Sequence, residues 1–191
     1  MVLWLMNRSH SSVTDWGLTH VSVGPHDVVL DVGCGGGRTV SKLAAKAMQG
    51  KVYGVDYSEE SVAASTRRNA HEIAAGRVEI ALGSVSQLSF PDGMFDLITA
   101  VETHIWWPDL PSDLREVRRV LKPSGQLAII SEVYKGARAR TSRVAEIYAR
   151  RTGMTLLTPD EHRRQFTDAG YSDVQIVVEE TKGWICATAR S

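Results

Sequence analysis

The stretch with the clearest chemical content is "DVGCGGG", Asp31 to Gly37, followed 19 positions after Gly37 by Asp56. Gly33, Gly35 and Gly37 carry no Cβ, so the main chain there can come close to a ligand. Set between a strand and a helix, such a loop turns backbone N–H groups toward what it holds. A carboxylate roughly 20 residues on, at the end of the next strand, can accept hydrogen bonds from a ribose diol. Three glycines alone would suit an ordinary tight turn; with Asp56 they point to a nucleotide-type ligand.

Two residues bear on which nucleotide. A dinucleotide fingerprint places its third glycine where this chain has Arg38, so the pattern of a nicotinamide cofactor fails there. Asp31 closes the first strand beside the loop, where a carboxylate repels a pyrophosphate but tolerates an ammonium and a positively charged sulfur. Asp31 can equally serve by bonding loop amides.

A second cluster, Val101 to Trp107 ("VETHIWW"), follows the fourth apolar run. Glu102 and His104 are its candidate proton acceptors, the imidazole having an ordinary pKa close to neutral. Trp106 and Trp107 suit an apolar acceptor or a cation, or else pack as a lid. The six histidines form no i,i+4 pair, so no metal site is expected. Neither a GxSxG elbow nor a GxxxxGKS loop is present.

The elements that must position these residues alternate strand and helix, the sign of βαβ units feeding a mostly parallel sheet. Strands are predicted at 27–32, 51–55, 77–82, 95–101 and 126–131, then a hairpin of 174–180 and 183–189. Ser58 reads as an N-cap of a helix ending at Gly76, and Thr158 with Glu161 as a capping box. The helix carrying Leu114, Val117 and Leu121 is expected to stop at Pro123 and Gly125. The Arg-rich segment 135–157, with Val144, Ile147 and Tyr148 on one helical face, is expected to form a lid over the pocket.

At 191 residues the chain is read as one domain, 1–191. Lys plus Arg balance Asp plus Glu at 22 each, which gives no general attraction to nucleic acid or anionic lipid. No apolar run approaches the roughly 20 residues of a membrane span, and the first ten residues lack the charge order of a signal peptide. Two distant cysteines form no disulfide framework. The expectation is a cytoplasmic protein with a small-molecule partner, neither nucleic acid nor membrane, working as a monomer or homodimer.

"VLDVGCGGGRTV", "GVDYSEESV", "FDLITAVETHIWWPD" and "EVRRVLKPSGQLAII" stand in the order of four motifs, and the chain resembles the class I S-adenosylmethionine-dependent methyltransferases, in particular the ubiquinone-biosynthesis-like group. The resemblance covers about Val28 to Ile130. It implies a Rossmann-like, doubly wound seven-stranded α/β sheet, order 3-2-1-4-5-7-6, mostly parallel with strand seven antiparallel and helices on both faces. It implies S-adenosylmethionine as cofactor, S-adenosylhomocysteine as product, and in-line methyl transfer to a small acceptor. Carried over, Gly33 and Gly35 line the methionine part, with Asp31 and Gly37 beside them, and Asp56 holds the ribose. Tyr57 packs on adenine, Val101 joins the cofactor set, and Ser84 with the Val85 amide takes the place of an acid at the adenine edge. Residues 1–26 are expected to cover the cofactor mouth, with Thr14 or Trp16 near the methionine end. A nicotinamide-linked oxidoreductase and a non-catalytic S-adenosylmethionine-binding regulator remain the alternatives.

Overall fold

The computed structural model describes residues 11–191. Their elements are α1 (Ser11–Gly17), β1 (Val28–Val32), α2 (Arg38–Lys46), β2 (Lys51–Asp56), α3 (Glu59–Arg68), α4 (Ala70–Ala74), β3 (Val78–Leu82) and β4 (Phe95–Val101). A 3-10 turn (His104–Trp106) leads to α5 (Leu110–Val120), β5 (Leu121–Ser131), α6 (Arg140–Thr152), α7 (Pro159–Asp168), β6 (Ser172–Glu179) and β7 (Trp184–Arg190). The seven strands lie in the order β3-β2-β1-β4-β5-β7-β6. β7 runs antiparallel to both its neighbours, and the other pairings are parallel. The expected topology is therefore the observed one.

Successive side chains on a strand face opposite ways, and the central strands are apolar on both faces. Leu30, Ile98, Leu127 and Ile129 join Leu114, Val117 and Phe166 in one core. Val29, Leu97, Ala128 and Ile130 join Val13, Val40 and Leu43 in the other. Burial on both faces is what a parallel sheet wrapped by helices requires. It also sends the loops at the strand C-termini to one edge, where ligands bind in such sheets.

Two boundaries differ from the expectation, each for a physical reason. The α5 helix passes directly into β5 at Leu121, which pairs with Phe95, while Gln126 pairs with Leu97. The residues 122–125 are absorbed as a bulge, which tolerates Pro123 because a bulged residue needs no ladder N–H. The helix after Ser58 breaks at Asn69 instead of continuing to Gly76. Asn69 is buried, and its amide donates to the carbonyls of Gly37 (3.1 Å) and Ser65 (2.9 Å). The break thus ties α3 to the glycine loop.

The predicted caps form. The Ser58 hydroxyl accepts from the Ser61 amide at 3.3 Å. The Thr158 hydroxyl accepts from the Glu161 amide at 3.1 Å, and Glu161 returns a bond to the Thr158 amide at 2.8 Å. The α1 helix lies against β5 and β7, with Gly17 so close to Ile130 that a Cβ would stand 2.6 Å from its side chain. Residues 1–10 of the expected N-terminal cover lie outside the described residues.

Candidate active site

Along the C-terminal edge of β1 to β4 runs an open cleft of about 1010 Å³. Its wall takes in Gly33 and Gly35 after β1, Asp56 and Tyr57 after β2, Ser84 and Val85 after β3, and Val101 and Glu102 at the end of β4. Eight of the predicted site residues, drawn from four separate loops, therefore meet at one edge.

Gly33, Gly35 and Gly37, three of the four glycines of the loop, have three different reasons to lack a side chain. All have positive φ, 73° at Gly33, 50° at Gly35 and 74° at Gly37. A Cβ on Gly33 would stand 2.4 Å from Thr103, whose hydroxyl donates to the Val32 carbonyl at 3.0 Å, so here the β4 loop crosses the β1 loop. A Cβ on Gly37 would stand 2.4 Å from Ser65 of α3, so this glycine serves helix packing and lies outside the cleft wall. At Gly35 nothing lies within 4 Å of the Cβ position, which opens on the cleft.

Main-chain bonds fix the loop. The Gly33 and Cys34 amides donate to the Val55 carbonyl at 2.7 and 3.0 Å. The Arg68 guanidinium donates to the Gly36 carbonyl at 2.8 Å. The Gly35 amide donates to Asp56 Oδ2 at 2.8 Å, and the Ser58 amide to Oδ1 at 3.0 Å. Asp56 is thus clamped by two amides at the cleft wall, with lone pairs left on both oxygens for further donors.

Asp31 occupies a different place from the one expected. It is buried outside the cleft wall and accepts from the Thr99 hydroxyl at 2.7 Å, not from loop amides. Burial, with the nearby Asp56 charge adding to it, pushes its carboxyl up to about 7 against the Thr99 bond. Any influence on a ligand acts through the field and not through contact.

The two candidate proton acceptors separate as well. Glu102 lines the cleft with φ 61°, an uncommon backbone conformation for a residue with a side chain, and its Oε1 accepts from the Glu132 amide. His104 is fully buried and does not line the cleft. Its Nε2 lies 3.3 Å from Nε2 of His162, whose Nδ1 bonds the Thr158 carbonyl at 3.0 Å. A carbonyl only accepts, so His162 carries its proton on Nδ1 and accepts on Nε2 from His104. The bare Nδ1 of His104 is then an acceptor, and it has no partner. Burial first, then His162, keeps the His104 pKa well below the ordinary imidazole value. His104 is a latch between the 3-10 turn and α7 rather than a base facing the cleft.

The tryptophans divide in the same way. Trp107 is buried in the core beneath the cleft, while Trp106 is 52% exposed at its mouth. Tyr57 is 83% exposed at the opposite side of the wall. The Ser84 hydroxyl accepts from the Ser86 amide at 3.2 Å. Thr14 of α1 lines the cleft, whereas Trp16 packs on His20 and Trp184. No residue of 135–157 lines it, although Tyr148 of α6 meets Trp106 at 6.4 Å between ring centroids.

Sequence reasoning passed over Arg38, the first residue of α2, which is the one Lys, Arg or His among the described residues of the wall. Its Nε is buried without a partner. The signal was present, since the residue that spoils the third dinucleotide glycine is a cation at a helix N-terminus facing the ligand edge. Asp56, Glu60 and Glu102 supply three acids to the same wall. Among the described residues no group of His, Cys, Asp or Glu is arranged to hold a metal ion.

A strand-edge cleft with a bare glycine loop and a clamped carboxylate defines a nucleoside-binding Rossmann-like domain. Residues 30–129 match the family model described as "Methyltransferase domain". The chain belongs to this family, and with it to the class I S-adenosylmethionine-dependent methyltransferases. It is 38% identical over 108 residues to methyltransferase GfsG of Streptomyces halstedii, a match covering 56% of this chain and 38% of that protein. With the demethylmenaquinone methyltransferase of Symbiobacterium thermophilum it shares 38% over 109 residues, 56% of this chain and 43% of the relative. The matched part thus spans only about two fifths of these relatives. A putative methyltransferase of Haloferax volcanii, solved with the Trm112 methyltransferase activator, has the same fold with TM-score 0.81 at 19% identity, over 98% of this chain and 92% of that one.

Proposed function

We propose that this chain transfers a methyl group from S-adenosylmethionine to a small-molecule acceptor held between Glu102 and Trp106, leaving S-adenosylhomocysteine. The observation that carries this reading is the clamped Asp56, which faces the cleft beside the open Cβ position of Gly35. A ribose diol fits the remaining lone pairs of that carboxylate. Gly33 and Gly35 leave room for the methionine part, Arg38 meets its carboxylate, and Tyr57 covers adenine against Val85. Three acids against one cation suit a positively charged sulfur and oppose a diphosphate.

S-adenosylmethionine brings a methyl group already activated by the sulfonium, so the protein's main task is alignment, which can supply up to roughly 7 to 11 kcal/mol. Glu102 is the nominated base that reaches the cleft, and it takes the proton when the acceptor carries one. The printed name of the demethylmenaquinone relative supports a small organic acceptor. The buried Cys34 and Cys186, which form no disulfide, accord with a reducing, cytoplasmic setting.

Thermal unfolding with each ligand tests the reading. A ligand at 100 times its Kd adds about 2.7 kcal/mol of stability. S-adenosylmethionine and S-adenosylhomocysteine are expected to raise the melting temperature and NAD to leave it unchanged. A shift with NAD alone would return the nicotinamide reading.

A further inference from the structure

Helices on a sheet normally turn their apolar stripe inward, and α6 does the reverse. At 100° per residue, Arg140, Val144, Ile147, Tyr148 and Arg151 share one face, and it points to solvent. Val144 and Ile147 are each 59% exposed and Tyr148 53%. The opposite side holds the small residues, with Ser142 buried against Gly183 of the β6–β7 turn. The helix therefore packs through small side chains and offers its large apolar ones outward. The stripe does not end at the helix, because the Tyr148 ring meets Trp106, itself half exposed at the mouth of the cleft.

Charge narrows what covers this face. Arg138, Arg140, Arg143, Arg150 and Arg151 are all exposed, within fourteen residues of a chain whose formal charge is zero. The one acid among residues 138–152, Glu146, is engaged with the Gly136 amide at 2.8 Å. A second copy of the chain would bring arginines against arginines across a two-fold contact. An apolar stripe rimmed by arginines, with a Trp and a Tyr at one end, instead matches the boundary of a membrane carrying negative headgroups.

We propose that the outward face of α6, together with Trp106, docks on the surface of an anionic lipid bilayer. Val144, Ile147 and Tyr148 enter the headgroup boundary while Arg140, Arg143, Arg150 and Arg151 meet the headgroups. Among the described residues no helix is long and apolar enough to cross a membrane, so the contact is peripheral. Sequence alone predicts no membrane partner from the balanced charge and the lack of a long apolar run, and it places this stripe over the pocket. Resting on the proposed methyl transfer, the inference also bears on the acceptor: a lipid-dissolved molecule would reach the cleft past Trp106.

Flotation of the full chain with vesicles tests the docking without any activity. Vesicles containing about one third phosphatidylglycerol are expected to carry the protein up, pure phosphatidylcholine vesicles to leave it behind, and salt at 0.5 M to release it. Val144→Ser with Ile147→Ser is expected to lower vesicle binding at least ten-fold, and Arg140→Gln with Arg143→Gln to lower it several-fold. Both variants should bind S-adenosylhomocysteine as the parent does, which excludes misfolding as the cause. Leu3→Ser with Trp4→Ser should leave flotation unchanged, assigning the contact to α6. Absence of flotation at low salt would overturn the proposal, as would loss of it in the Leu3/Trp4 variant. Concentration-dependent dimerisation that the Val144/Ile147 variant abolishes would give the face to a second copy. If the parent chain itself binds no S-adenosylhomocysteine, it is the methyl-transfer reading that fails.

Discussion

The two halves of the cleft are built by different means. On the β1–β2–β3 side the wall is mostly main chain: positive-φ glycines, amides directed at Asp56, and carbonyls held by Arg68 and Asn69. On the β4–β5 side it is mostly side chain, with Glu102 at a left-handed backbone position, Trp106 half in solvent, and a buried histidine pair behind them. The first arrangement suits a ligand whose shape never varies. The second can change by substitution without disturbing the fold, which is what acceptor specificity requires.

The largest expected effect lies within the glycine loop. Gly37→Ala should cost about 3 kcal/mol of stability, because its Cβ meets both the side chain and the backbone of Ser65 in a left-handed conformation. Gly35→Ala, with open space, should cost about 1 kcal/mol of stability while weakening S-adenosylhomocysteine binding more than Gly37→Ala does. Denaturant unfolding beside ligand titration separates the two. Equal losses of stability would deny the division of labour within the loop.

On the acceptor side, the histidine latch sets a pH dependence. His104 is neutral in the folded protein with its pKa lowered, so the unfolded chain takes up the proton first as pH falls. The latch is fully present above about pH 6.5 and weakens below it, by about 1.4 kcal/mol between pH 7.5 and 5.5. In His104→Phe that part of the acid destabilisation should vanish. A pH–stability slope identical to the parent's would show that His104 titrates normally and is not sealed behind the cleft.

A smaller effect sharpens the cofactor side. Arg38→Gln should weaken S-adenosylhomocysteine about ten-fold, or ~1.4 kcal/mol, yet leave methylthioadenosine, which lacks the carboxylate, unaffected. Equal losses for both ligands would remove the carboxylate assignment. Asp31 works in the opposite sense to His104: its folded pKa is raised, so its contribution to stability is highest below about pH 4 and declines as pH rises to about 7. Asp31→Asn should therefore gain stability relative to the parent as pH is raised from about 4 to about 8; a loss at the higher pH would show that the ionised carboxylate stabilises the fold.

The same contrast explains what could be read from residues alone. The glycine loop and Asp56 were legible because they follow from spacing and from backbone conformations few residues allow, and the strand order was legible only through the resemblance that the four motifs carry. Asp31, His104 and α6 were not, because each depended on the direction of a side chain after packing. Thr99 turns Asp31 inward, His162 draws His104 away from the cleft, and the small face of α6 takes the inner position expected for Val144, Ile147 and Tyr148. The Pro123 bulge was missed because a helix stop and a bulge share the same residues.

The central claim is that Asp56 grips a nucleoside at the edge of the sheet, and calorimetric titration with S-adenosylhomocysteine tests it most directly. Saturable binding by the parent chain is predicted, weakened about 100-fold (~2.7 kcal/mol) in Asp56→Ala, with no heat from NAD for either protein. Undiminished affinity in Asp56→Ala would contradict the account.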